Sequence, residues 1–157
     1  MPSSSGSLLA GRNSAPLSPK EIQRVTNIFL GLDATVSTRY EEAARTAFVV
    51  SEDEDGQDYG EIVFGPDIYP GASVTDPNSA LSVDAAAAHE LTHFHRWKNK
   101  RALDAPELEF IDEALTSLEA VVRYESNLSA SDVRQLVGDS IQRLQMYCAA
   151  TSATNLD

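Results

Sequence analysis

The chain has 157 residues, of which 42% are hydrophobic and 23% are charged, values typical of one globular domain with its own core. It has 24 acidic and only 12 basic residues, and the formal net charge of −12 argues against nucleic-acid binding, which depends on concentrated positive charge. Cys148 is the only cysteine, so an intrachain disulfide is excluded.

The N-terminal residues lack hydrophobic periodicity and are rich in Ser, Gly and Pro. We therefore expect a disordered leader over residues 1–17, a single domain over residues 18–150 and a frayed tail over residues 151–157. The leader has no basic segment followed by a long apolar run. We expect neither a secretory signal nor a membrane span, and hence a cytoplasmic protein.

A first helix is predicted to begin after Ser18 and to end near Gly31. Ser18 is a typical N-cap, Pro19 fits the first helical position, and Glu21 completes a capping box. A shorter helical segment is predicted over residues 37–46. Residues 47–50 and 61–64 predict strands, and the polar, glycine-containing connection between them indicates an antiparallel pair.

The next predicted helix is capped by Ser82 and extends to about Lys100. It contains the sequence HELTH over residues 89–93. Side chains at i and i+4 project from the same face of a helix, so the imidazoles of His89 and His93 can bind one metal ion. Glu90 is offset around the helix and can hold a water molecule on that ion.

Two further helices are predicted after Pro106. The first extends to about Ser126, and the second begins with Ser131 as its N-cap. Each helix carries an apolar stripe at helical spacing, which predicts the face that packs against the core. The stripes consist of Ile111, Leu115, Leu118 and Val122 on the first helix, and of Val133, Leu136, Val137, Ile141 and Leu144 on the second.

Glu113 is the candidate for a third metal ligand, because it lies 20 residues after His93 and off the apolar stripe of its helix. A catalytic zinc ion typically has three protein ligands, and two histidines with one glutamate are a standard set. Two antiparallel helices joined by a short connection can bring Glu113 to the imidazoles. The sequence therefore predicts a Zn²⁺ site formed by His89, His93 and Glu113.

These residues resemble the gluzincin group of thermolysin-like zinc metallopeptidases. The resemblance rests on the HELTH pentapeptide, the spacing to Glu113 and the Glu-Ala step at residues 113–114, and it covers about residues 83–119. It implies an α+β fold of minimal zincin-like type, in which a small antiparallel sheet packs on the active-site helix and further helices follow. It also implies that Glu90 is the general base in peptide-bond hydrolysis.

The resemblance further implies a substrate-binding strand, because zincins bind the substrate backbone as an additional strand before the active-site helix. The corresponding residues here are Glu61, Ile62, Val63 and Phe64. Ser117 stands where thermolysin-like enzymes have an aspartate that supports a zinc-bound histidine, so we expect a weaker support of this histidine.

The group that would stabilise an oxyanion is not identified by the resemblance. Its candidates are Tyr69, Tyr124, Tyr147 and His95. His95 follows His93 by two residues, about 200° around the helix, so we expect it to point away from the metal.

Two other functions stay open beside general proteolysis. Small HExxH proteins of the ImmA/IrrE kind also resemble this layout, and they act on one regulatory partner protein. A zinc-binding domain without activity, serving as an interaction module, is the other. In each case we expect a peptide or protein partner and neither nucleic acid nor membrane. A di-iron site would need a second ExxH sequence, which the chain lacks.

Overall fold

The computed structural model describes residues 3–5, 11–71 and 81–154, which form an α+β fold as predicted. The helices and strands follow in the order β1 (Ser3–Ser5), α1 (Pro19–Leu32), β2 (Thr38–Tyr40), β3 (Ala47–Glu52), β4 (Asp58–Phe64), α2 (Val83–Lys98), α3 (Glu109–Arg123) and α4 (Ala130–Thr154). Short 3-10 turns occupy Pro66–Ile68, Pro106–Leu108 and Glu125–Asn127.

The strands form one sheet in the order β1-β3-β4-β2. β3 and β4 are antiparallel, as predicted, and Phe48 lies opposite Ile62. β2, however, runs parallel to β4, with Thr38 opposite Ile62. The prediction of an antiparallel sheet is therefore wrong, because the sheet is mixed.

The helix predicted over residues 37–46 is also wrong, because part of this segment forms β2. Its contacts are long-range: Ile62 donates its backbone N–H to the carbonyl of Ser37, and the ring centroids of Tyr40 and Phe64 are 5.4 Å apart. Such tertiary contacts override a weak local preference for helix.

Residues 11–17 are ordered, contrary to the predicted disordered leader. The Arg12 guanidinium donates hydrogen bonds to the carbonyls of Asp67, Leu81 and Ile68 at 2.9, 2.6 and 2.8 Å. Burial lowers the pKa of Arg12 to about 10, and nearby acidic groups oppose this effect, so the guanidinium stays charged at neutral pH. Leu17 is buried in the core. Residues 1, 2 and 6–10 lie outside the described part of the chain.

Helix α1 begins as predicted, with a reciprocal capping box between Ser18 and Glu21. Its inward residues Val25 and Phe29 are buried, and the Phe29 ring lies 5.8 Å from that of Phe64, centroid to centroid. This face therefore joins α1 to the sheet.

Helix α2 crosses the middle of the molecule, and Ser82 caps it as predicted by accepting a hydrogen bond from the N–H of Ala85. The four alanines 85–88 are completely buried. Their small side chains permit close approach of neighbouring elements. Close packing on several sides explains why α2 is buried even at its polar positions.

Helices α3 and α4 face the core with polar rather than apolar side chains. On the predicted stripes, Leu115, Leu118, Val122, Val137, Ile141 and Leu144 are exposed, whereas Leu136 is buried. The buried polar side chains are Asp112, Glu113, Thr116, Ser117, Asp132, Asp139, Ser140 and Arg143. The predicted orientation of both helices is therefore wrong, and Leu136 is the one stripe residue that the structure buries completely among those described.

Helix α4 also differs from the prediction at both ends. Its N-terminus is capped by Ser129 rather than Ser131, since Ser129 Oγ accepts from the N–H of Asp132 and the Asp132 carboxylate accepts from the N–H of Ser129. The helix extends to Thr154, so residues 151–154 are not a frayed tail. Residues 155–157 lie outside the described part. Among the described residues, no helix has the length and apolar character that crossing a membrane requires.

Candidate metal centre

The predicted ligand residues come together between α2 and α3. Glu113 Oε2 lies 2.9 Å from His89 Nε2 and 3.1 Å from His93 Nε2, and the two nitrogens are 3.1 Å apart. All three side chains are buried, and they are close enough to hold one metal ion. The predicted grouping of His89, His93 and Glu113 is therefore confirmed.

The donor set fits a tetrahedral metal ion. Bonds of 2.0–2.1 Å to nitrogen and oxygen place two ligands of a tetrahedron about 3.3 Å apart. The three donor atoms are 2.9 to 3.1 Å from one another, slightly inside that spacing. A small outward movement of these side chains would give the spacing that an ion requires.

The second nitrogen of His89 is held by a chain of hydrogen bonds. Ser117 Oγ donates to Asp139 Oδ2 at 2.6 Å and lies 2.8 Å from His89 Nδ1. A serine hydroxyl has one proton, so Ser117 must accept from the N–H at Nδ1. The lone pair of His89 then lies at Nε2, towards the other ligands. Burial lowers the pKa of His89, which favours the neutral imidazole that binds metals.

Asp139 supplies a carboxylate in place of the aspartate that thermolysin-like enzymes have at the position of Ser117. It reaches His89 indirectly, through the Ser117 hydroxyl, and it comes from α4. We did not predict it, because it lies 22 residues beyond Ser117, on a helix whose apolar stripe indicated a different inward face. An acidic residue within an amphipathic helix is the one local signal in the sequence that could have indicated Asp139.

Glu113 is ionised, although it is buried. Burial raises its pKa, but the charges and hydrogen bonds of His93 and His89 outweigh this effect and hold the pKa well below its ordinary value. Arg143 Nη1 is 3.6 Å from Glu113 Oε2 and adds positive charge at the same place.

Glu90 lies beside this cluster and is completely buried. Within the described residues, neither of its carboxylate oxygens has a partner at full hydrogen-bond geometry, and the backbone of Phe48 makes only a weaker interaction with the carboxyl. Burial raises its pKa well above the ordinary value, the charge of Glu113 adds to the effect, and Arg143 and the nearby backbone of Phe48 oppose it. A buried acid without a partner is costly, so the position calls for a ligand such as water.

An ion pair shapes the approach to the ligands. Arg96 Nη2 donates to Asp112 Oδ1 at 2.8 Å and to the carbonyl of Arg101 at 3.0 Å, and the same Asp112 oxygen accepts from the N–H of Leu103. These bonds fix the connection between α2 and α3 beside His93.

This connection forms one wall of a cavity of about 280 Å³. The cavity reaches the ligands His93 and Glu113, and its apolar lining includes Phe48, Val50, Trp97, Leu103 and Pro106. Gly60 lies behind this lining, since a Cβ atom there would be 2.6 Å from the Phe48 ring. A cavity of this volume can accept a side chain of a peptide.

The four oxyanion candidates do not line this cavity. Tyr69 accepts a hydrogen bond from Arg24, and the buried hydroxyl of Tyr124 has no partner among the described residues. Tyr147 makes no described contact with the cluster, and its carbonyl accepts from Thr151. His95 points away from the metal ligands, as predicted, and lies 2.6 Å from Asp33.

The predicted substrate strand lies inside the sheet. β4 is paired with β3 on one side and with β2 on the other over Ile62, Val63 and Phe64. Glu61 faces Val49 and forms an ion pair with Arg39. Ile62 and Val63 are paired on both edges, so a peptide strand cannot be added along this segment. β3, a predicted strand for which we did not predict a part in the site, contributes Phe48 and Val50 to the cavity instead.

The geometry defines a buried site of two imidazoles and one carboxylate, with a second carboxylate beside it. Comparison of the chain with models of known protein families, with curated proteins and with solved structures finds no match. The inference of function therefore depends on the chemistry of these side chains.

Proposed function

We propose that the protein is a small zincin-like, zinc-dependent metallopeptidase. The observation that carries the proposal is the completely buried Glu90 carboxylate, which has no partner at full hydrogen-bond geometry among the described residues, beside the three clustered donor atoms of His89, His93 and Glu113. The set of two nitrogens and one oxygen is typical of catalytic zinc.

His89 Nε2, His93 Nε2 and Glu113 Oε2 would hold the ion. When bound, zinc lowers the pKa of a coordinated water to about 7 and polarises a carbonyl oxygen. Glu90 accepts the proton of the attacking water on a carboxylate oxygen and delivers it to the leaving amine. Burial and the charge of Glu113 raise the pKa of Glu90, which favours its holding the proton between the two steps.

Three further residues orient a ligand or balance its charge. Ser117, backed by Asp139, keeps the His89 lone pair towards the ion. Arg143 offsets part of the negative charge of Glu113. The cavity beside His93 and Glu113 would accept one substrate side chain, which favours a narrow choice of peptide or protein substrate.

Metal analysis and hydrolysis assays on matched variants test the proposal. We expect the purified protein to contain one zinc ion and to cleave peptides, Glu90→Gln to retain zinc without cleavage, and His93→Ala to lose both. His95→Ala is the control, because this side chain contacts Asp33 instead of the ligands. Absence of a transition metal from the intact protein would contradict the proposal.

A zinc-binding interaction module without activity is the second candidate. It is favoured by the lining of the cavity, where the described residues include no tyrosine that could stabilise an oxyanion. An interaction module predicts that Glu90→Gln leaves the biological effect unchanged, whereas a peptidase, general or restricted to one regulatory protein, loses it.

A further inference from the structure

The outer edge of β3 is covered by the chain's own N-terminal segment. β1 is the last strand on this side of the sheet and is antiparallel to β3, with Ser3, Ser4 and Ser5 opposite Val50, Val49 and Phe48. The other edge of β3 is paired with β4. Any further peptide that is to pair with β3 must therefore replace β1.

This edge lies beside the metal centre. Phe48 and Val50 line the cavity that reaches His93 and Glu113. The backbone of Phe48 also acts on the Glu90 carboxyl, whose pKa it lowers slightly. A peptide paired with Phe48–Val50 would thus pass the donor atoms and Glu90, and β1 lies on that path.

The sheet register shows which N–H groups of β1 point towards β3. Ile62 directs its N–H to β2, so its partner Phe48 directs its N–H and carbonyl away from β4 and towards β1. Ser5, opposite Phe48, and Ser3, opposite Val50, then exchange hydrogen bonds with β3. Ser4 lies between them, and its N–H points away from β3.

We propose that residues 3–5 act as a built-in competitor, because they occupy the β3 edge with which an extended peptide substrate would otherwise pair. The identification of the incoming peptide as a substrate rests on the proposed peptidase function. The competition itself rests only on the pairing of β1 with β3.

The pairing of β1 with β3 is weak enough for another peptide to displace β1. β1 has only three residues, so few backbone hydrogen bonds join it to β3. A single backbone hydrogen bond contributes little net stability to such a contact. The segment nevertheless competes well, because the Arg12 bonds tether it a few residues downstream and give it a high local concentration.

Proline substitutions in β1 distinguish an N–H group that points towards β3 from one that points away from it. Proline has no N–H, and an edge strand tolerates it only where the N–H faces solvent. Ser5→Pro should release β1, and Ser4→Pro is the matched control. Each change is placed in zinc-loaded Glu90→Gln protein, which excludes cleavage, beside a variant that lacks residues 2–5.

The probe is a fluorescein-labelled synthetic peptide with the sequence of residues 1–10, and its Kd is measured by fluorescence anisotropy. We expect Ser5→Pro and the truncated protein to bind it about ten-fold or more tightly than the intact and Ser4→Pro proteins, because the docking edge is then free. Equal Kd values for all four proteins, or no binding to any of them, would overturn the inference.

With Glu90 restored, Ser5→Pro should lower KM for a hydrolysed peptide by a similar factor and leave kcat unchanged. Circular dichroism and zinc content show whether each variant is folded, and Ser5→Pro provides the test if the truncated protein is not. Tighter probe binding without hydrolysis by any variant would contradict the peptidase function and leave the docking edge standing.

Discussion

The single proton of the Ser117 hydroxyl sets the orientation of a metal ligand. Because this proton goes to Asp139, the Ser117 oxygen accepts from His89 and keeps its other nitrogen free for an ion. A carboxylate thus acts on the histidine through an intervening hydroxyl. We expected Ser117 to support His89 weakly because we considered the serine alone and not its hydrogen bond to Asp139.

Removal of either Ser117 or Asp139, which together hold His89 by hydrogen bonds, should weaken metal binding. We expect Ser117→Ala and Asp139→Asn each to raise the Kd for zinc about 10- to 100-fold, the usual range for partners of metal-bound histidines. A competition assay with a chromophoric chelator measures the change. Ser126→Ala, on the exposed turn after α3, should leave the Kd unaltered; a Kd for Asp139→Asn equal to that of the intact protein would contradict the hydrogen-bond chain.

At the scale of elements, the orientation of α3 and α4 follows from the site and not from hydrophobicity. Periodicity located both helices, since their stripes have helical spacing, but it assigned the wrong faces. The inward face of α3 carries Glu113 and Ser117, and that of α4 carries Asp139 and Arg143. The clustered donor atoms and the pairing of buried charges place polar side chains on the inward faces, and a stripe of apolar residues does not reveal this arrangement.

Two substitutions test which residues of the predicted apolar stripes are exposed and which are buried. Val122 is 78% exposed, so Val122→Ser should change the free energy of unfolding by less than about 0.5 kcal/mol. Leu136 is 0% exposed, so Leu136→Ala should cost about 2 to 5 kcal/mol. Urea denaturation gives both values. Similar losses for the two variants would mean that the α3 stripe is buried after all.

The N-terminus of α4 is joined to that of α2 by one carboxylate. Asp132 accepts hydrogen bonds from the Ser82 hydroxyl and from the N–H of Ser129. Burial raises its pKa, but these bonds outweigh that effect and lower the pKa below its ordinary value. The ionised form is therefore the one that stabilises the junction.

We expect Asp132→Asn to lower the free energy of unfolding by about 1 to 2 kcal/mol at neutral pH. Because the folded-state pKa is the lower one, this stabilisation is complete above the unfolded value of about 3.9 and is lost as the pH falls through the folded value. The difference from the intact protein should thus be constant between pH 6 and 8 and shrink below about pH 4. Ser131→Ala, at the N-cap position that the sequence wrongly predicted, should be nearly neutral.

For the whole molecule, local signals were sufficient for α1, α2, β3, β4 and the grouping of His89, His93 and Glu113. The capping box at Ser18 and the HELTH sequence specify their structure within a few residues. The parallel strand β2 and the attachment of Arg12 were not predicted, since both depend on partners more than 20 residues away. Non-local pairing of this kind leaves little trace in a single sequence.

Metal removal should destabilise the entire domain, because the ligands join α2 and α3 at its centre. At a free zinc concentration 1,000 times the Kd, binding contributes about 4 kcal/mol, equivalent to about 8 to 16 °C in Tm for a chain of this size. Differential scanning calorimetry with and without a chelator measures the shift. His93→Ala protein should show no shift, and an equal shift in both proteins would point to a different binding site.

The three hydrogen bonds of Arg12 have a consequence for the tolerance of the chain to insertions. The guanidinium joins the carbonyl of Ile68 to that of Leu81, and so holds together the two ends of the intervening segment. Closure entropy rises only slowly with length, by about 0.6 kcal/mol for each doubling. Added residues between positions 71 and 81 should therefore leave the affinity for zinc intact as long as Arg12 is present, and replacement of Arg12 should remove this tolerance.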